Sequence, residues 1–268
     1  MIVYLTLAVC ALLALLLIYR YDLYEKEPLY MVALVATVGA GAMWGVGHVE
    51  DYVLDLIGAP PRRGVVLAAI AASFEELTRL LIVIAIAWLI PKQFNDPMDG
   101  IIYGSVVGLG MAVTESVYYM SLTAWPPPPE GPFIPPTEIV RLCGHLVMGG
   151  ITGFAVGMMR MEMKRWIAVL LGCVSISMTM HFLWDWIAFD AAMRGEMLSW
   201  QTISAAAMML FGMVFYGVLV VIGSDWSRRE FAPHSARSLW KWPFTLLVRR
   251  DFSEASRSTT HQDRDSTP

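Results

Sequence analysis

Seven apolar stretches, each close to the length that carries a helix across a bilayer, constrain this chain more than any other feature. A hydrocarbon core needs roughly 20 apolar residues of helix, and candidate spans fall near residues 2–19, 29–47, 65–90, 101–124, 138–159, 166–189 and 201–223. Backbone polar groups find no water inside lipid, so runs of this length must satisfy themselves as helices. The expected fold class is therefore all-α, a polytopic membrane protein of about seven transmembrane helices around a polar intramembrane cavity. Composition agrees: 57% of the 268 residues are hydrophobic and 16% charged, too apolar for a soluble core inside a polar shell.

The organisation follows from the spans. Residues 1–224 are expected to form one transmembrane domain, and residues 225–268 a short juxtamembrane contact followed by a disordered tail. Lysines and arginines are concentrated on one side, at Arg20, Lys26, Lys92, Arg160, Lys164, Arg165 and in the tail. The opposite side has Arg62, Arg63, Arg141 and Arg194. The positive-inside rule then puts the N-terminus outside and the tail in the cytoplasm. The connection from Trp125 to Thr137 contains four consecutive prolines, 126–129, which cannot be helical. Cys10, Cys143 and Cys173 lie in apolar runs without metal-type spacing and are expected as small buried hydrophobes. The net charge of -4, with no basic face, excludes a nucleic-acid binder.

Ionisable residues inside the spans are the exception to this apolar pattern. They are costly in lipid and mark functional sites. The third span carries Glu75, Glu76 and Arg79, the fourth Glu115, the fifth His145, and the sixth His181 with Asp185. With about 1.5 Å of rise per residue, Glu75, Glu115, His145 and His181 all fall about 10–16 Å below the same end of their spans. One shared polar cavity is the expectation. Arg79 is i,i+4 from Glu75 and i,i+3 from Glu76, so it can neutralise one carboxylate while the other faces elsewhere. His181 and Asp185 are also i,i+4, which lets the carboxylate orient the imidazole. His48, Glu50, Asp51 and Asp55 follow the apolar part of the second span, where a solvated loop accounts for them.

Several intramembrane protease chemistries lack their parts here. There is no His-Glu-x-x-His, no Gly-x-Gly-Asp and no Gly-x-Ser-x-Gly, which leaves glutamate and histidine chemistry. In this setting the chain resembles the PrsW-type intramembrane proteases. The resemblance is carried by Tyr21 to Pro28, by Glu75-Glu76-x-x-Arg79, and by Asp99 to Gly104 leading through Gly108-Leu109-Gly110 to Thr114-Glu115-Ser116. It continues through Gly144-His145 and His181 to Asp185. Family members often have asparagine where this chain has Ser116.

The resemblance implies an enzyme of a bacterial cytoplasmic membrane that hydrolyses a membrane-anchored protein, with an anti-sigma factor as one known type of target. It also implies kinship with the CAAX prenyl protease and bacteriocin-processing group. Glu75, Glu76, His145 and His181 are the expected catalytic residues, supported by Arg79, Glu115, Asp185 and Asp99. Two mechanisms fit them. In one, His145, His181 and a carboxylate, Glu115 or Glu76, ligate zinc, which lowers the pKa of the attacking water. In the other, Glu75 or Glu76 is the general base without a metal, and the histidines stabilise the oxyanion. The competing class is a proton-coupled transporter or a receptor, which also places charges in the membrane.

Overall fold

The computed structural model describes residues 2–58, 63–121, 134–194 and 200–234. The proline run at 126–129 and the chain beyond 234, including the expected disordered tail, lie outside them. The described residues form seven helices and no strand: α1 (Ile2–Tyr21), α2 (Leu29–Ile57), α3 (Arg63–Leu89), α4 (Pro97–Ser121), α5 (Pro136–Arg160), α6 (Trp166–Arg194) and α7 (Trp200–Phe231). Six of them are long and apolar enough to cross a membrane. The exception is α3, which holds Glu75, Glu76 and Arg79 in its middle. Leucines 5, 12, 13, 16 and 17 of α1 are more than half exposed, as expected of a helix whose solvent is lipid rather than water. The three cysteines are free.

The helices are arranged around α4. In α4, 83% of the apolar window is buried, and in α5 72%, against 11% in α1. These two central helices meet along glycines spaced four apart, Gly100, Gly104 and Gly108 on α4 against Gly149, Gly153 and Gly157 on α5. A Cβ on Gly104 would stand 2.2 Å from the Gly149 carbonyl oxygen, and one on Gly153 would stand 1.9 Å from that of Gly100. Only glycine permits so close an approach. In lipid, where apolar side chains gain nothing by leaving one apolar solvent for another, such backbone-to-backbone packing drives association. Gly39 on α2 and Gly110 on α4 make a second seam of the same kind, against Val107 and Ala36. Together the seams fix α2, α4 and α5 at close range.

Polar caps fix the other end of the bundle. Asp96 Oδ1 accepts the Asp99 backbone N–H at 2.9 Å, and Asp99 Oδ2 accepts those of Asn95 and Asp96 at 2.7 and 2.8 Å. This reciprocal pair is a capping box for α4. The α1–α2 connection docks beside it: Asp22 Oδ2 accepts the Glu27 N–H at 2.9 Å, and the Tyr103 hydroxyl donates to Glu27 Oε2. Burial pushes the Asp22 carboxyl up to about 6 and the Glu27 carboxyl up to about 7. α2 differs from expectation. It continues helically through His48, Glu50, Asp51 and Asp55 to Ile57 and ends where Gly58 adopts φ 72°. These residues are not a loop: falling hydropathy marked the end of the apolar run, while the helix itself goes on for more than two turns.

Candidate active site

The four helices that carry the intramembrane charges bring them together. Glu75, Glu76 and Arg79 of α3, Glu115 of α4, His145 of α5, and His181 with Asp185 of α6 are all buried. Arg79, wholly buried, pairs with Glu76 through Nη1, and its Nη2 lies 2.8 Å from His145 Nδ1. A guanidinium only donates, so His145 Nδ1 accepts and the ring proton sits on Nε2. That nitrogen faces Glu115 Oε2 at 3.0 Å. Glu115 is held in turn by Arg141, whose Nε lies 3.1 Å from Oε1 and whose guanidinium also pairs with Glu138 and covers the Tyr119 ring.

His181 is oriented from both sides. Its Nδ1 is 2.7 Å from Glu76 Oε1, and its Nε2 is 3.3 Å from Asp185 Oδ2. An Nδ1–H donated to Glu76 fixes the neutral tautomer, the role that the i,i+4 spacing had suggested for Asp185, and Asp185 accepts from Nε2 only when the ring is doubly protonated. The two adjacent glutamates differ in their other oxygen. Each has an Oε2 buried without a hydrogen-bond partner, but Glu76 is committed through its Oε1 to Arg79 and His181, which leaves Glu75 Oε2 the freer oxygen. That oxygen stands 3.7 Å from His181 Nε2 and 3.9 Å from His145 Nε2.

Glu75, His145 and His181 offer one ligand atom each, all within 4.8 Å of one another. As a donor set this fits a divalent cation of the zinc type, which takes carboxylate oxygen and imidazole nitrogen. Two of the atoms, Glu75 Oε2 and His181 Nε2, make no hydrogen bond, with Asp185 Oδ2 3.3 Å from the latter. The third, His145 Nε2, would join in the other tautomer, with the ring proton on Nδ1 and the hydrogen bond from Arg79 given up. The carboxylate that reaches both imidazoles is thus Glu75, in place of Glu115 or Glu76. Asp99 is not brought to the group: it caps α4 about 24 Å along the helix axis from Glu115.

A cavity of ≈ 270 Å³ opens onto this group between α2, α3 and α4. Met43, Trp44, Leu54, Leu67 and Ile70 supply apolar walls, and Glu50, Asp51, Glu75, Glu115 and Asp185 supply carboxylates. Glu76 is absent from that lining. The sequence reading missed Glu50 and Asp51, although Trp44, Gly47, Glu50, Asp51 and Leu54 recur at helical spacing beyond the apolar run. It also counted Arg141 only among the basic residues of the sparser side, when it is the partner of Glu115.

Carboxylates and imidazoles gathered among helices long and apolar enough to cross a membrane are groups able to activate water for hydrolysis. The family described as PrsW family intramembrane metalloprotease matches residues 27–222, and the chain belongs to it. It is a peptidase, acting in lipid on membrane proteins. The chain is also 26% identical over 171 residues to "Protease PrsW" of Geobacillus kaustophilus (strain HTA426), covering 63% of this chain and 72% of that protein. No solved structure matches at a significant level.

Proposed function

We propose that this chain hydrolyses a peptide bond of a membrane-anchored protein, a regulator of the anti-sigma-factor type, with Glu75 as the general base that takes a proton from the attacking water. The observation that carries the assignment is the Glu75 carboxylate: buried, with Oε2 unpartnered, lining the cavity and facing both imidazoles. Glu76 and Arg79 position His181 and His145, Arg141 and Glu115 hold His145 from the other side, and Asp185 steadies His181. His145 Nε2–H, which faces Glu115 at 3.0 Å, would be shared with the oxygen that becomes negative as water adds to the carbonyl. Glu75 then returns its proton to the departing amine. In the alternative route the same three side chains would hold a zinc-type ion, with Glu75 as a ligand instead of the base and His145 in its other tautomer, and the ion would lower the pKa of water and polarise the carbonyl in their place.

In this reading all seven helices cross a bacterial cytoplasmic membrane. The charged middle of α3 is tolerated because it faces the bundle interior. The N-terminus is outside and the tail cytoplasmic, so cleavage occurs in the outer half of the bilayer. The test compares membrane proteomes of cells making wild-type protein or Glu75→Gln, both at equal level and folded. A single-pass protein shortened only by the wild type is expected. Identical proteomes would overturn the proposal.

A further inference from the structure

The cavity's charge is unbalanced in a way that hydrolysis alone does not require. Five carboxylates line it, and no lysine or arginine is among the lining residues. Glu75 belongs to the reacting group, 3.9 and 3.7 Å from its two histidines, and of the others Glu115 is paired by Arg141 at 3.1 Å and Asp185 by His181 at 3.3 Å. Glu50 and Asp51 are not. Among the described residues no lysine or arginine pairs with either, and Glu50 Oε1 is buried without a hydrogen-bond partner. A buried carboxylate oxygen without a donor or counter-ion is costly in a low-dielectric setting, and a cation arriving with a ligand relieves that cost. A second, independent pointer to a ligand lies in the same cavity. Glu75, only 2% exposed, also directs an unpartnered oxygen there.

The walls fit one kind of occupant. Met43, Trp44, Leu54, Leu67 and Ile70 form an apolar sleeve suited to a methylene stem, with Glu50 and Asp51 able to meet a charged head. We infer that the cavity is a specificity subsite that takes a lysine or arginine side chain of the substrate close to the scissile bond, held by Glu50 and Asp51. This rests on the reading of Glu75 as the base, since the subsite sits beside it. Glu50 is a specificity residue here and takes no part in proton transfer. A substrate with glutamate at that position would add a sixth carboxylate to the cavity and be rejected.

The experiment maps new protein N-termini in membranes of cells making full-length wild type, Glu50→Gln, Asp51→Asn, Glu50→Lys or Glu75→Gln. Glu75-dependent sites are expected to carry lysine or arginine within about three residues, and Glu50→Gln is expected to cut them about 10-fold less, as for loss of one charged hydrogen bond. Asp51→Asn gives a smaller loss in the same direction. Changing the basic residue of the strongest site to glutamate is expected to abolish cleavage by wild type and restore it with Glu50→Lys, a gain that misfolding cannot produce. Glu75-dependent sites without basic residues, or wild-type cutting by both Glu50→Gln and Asp51→Asn, would overturn the subsite while leaving the proposed function intact. Absence of any Glu75-dependent site would refute both.

Discussion

Gly108→Ala tests how the fold positions the site. A Cβ on Gly108 would stand 2.0 Å from the His145 carbonyl oxygen, where ordinary contact begins at 3.4 Å. The obstructing atom is backbone, so it cannot swing aside as a long side chain does. α4 and α5 must separate by about 1 Å, and overpacking of this kind costs about 1–3 kcal/mol. The larger effect is catalytic. Glu115 and His145 ride on these two helices, and a misplacement of about 1 Å in a reacting constellation costs roughly 100-fold in rate. Gly172→Ala is the control, because nothing lies within 4 Å of its Cβ. It is expected to keep full activity and to gain up to about 1 kcal/mol from helix propensity. The assay is the cleavage rate of a membrane-anchored substrate in liposomes, beside thermal unfolding in detergent. A Gly108→Ala protein with wild-type rate and melting temperature would refute the packing argument.

Further outcomes follow from the same geometry. Arg79→Met should leave Glu76 without its cation, lowering stability by about 3–5 kcal/mol in thermal unfolding and abolishing cleavage; a stable, active variant would show that the pair does not position the histidines. Under the metal route, purified protein should bind a zinc-type ion with near-equal stoichiometry by elemental analysis, and Glu75→Ala and His181→Ala should each lose it; retention of metal by both would exclude the Glu75, His145, His181 set. Docking of the α1–α2 connection should weaken with rising pH. Asp22 and Glu27 have raised folded values of about 6 and about 7, so their contribution is full below the unfolded carboxylate range and lost as pH passes through those values. Hydrogen exchange over residues 22–28 should therefore be less protected at pH 8 than at pH 5.5 after correction for intrinsic rates, with the difference removed by Asp22→Asn with Glu27→Gln.

Much of the site was legible because helix geometry is regular. Apolar runs of nearly constant length give the helices, and a rise of about 1.5 Å per residue was enough to level Glu75, Glu115, His145 and His181 before any contact was known. Azimuth was less legible. Arg79 reaches residues three and four back equally well, so only packing decides that Glu76 takes the guanidinium and Glu75 faces the cavity. The same uncertainty moved the third potential ligand from Glu115 to Glu75. Glu50 was lost for another reason: hydropathy falls within α2 well before the helix ends, so a polar stretch was read as solvated while it lines the cavity. Asp99 came from its place in a shared sequence block, and a block can be shared for capping as well as for chemistry.

The most direct measurement uses purified wild-type protein and Glu75→Gln in liposomes, with the membrane protein identified from the proteome comparison as substrate, in heavy-oxygen water. The wild type is predicted to incorporate one heavy oxygen into the new C-terminal carboxyl, and Glu75→Gln, with an unchanged melting temperature, to cut at least about 100-fold more slowly. Cleavage by folded Glu75→Gln at the wild-type rate would contradict the account.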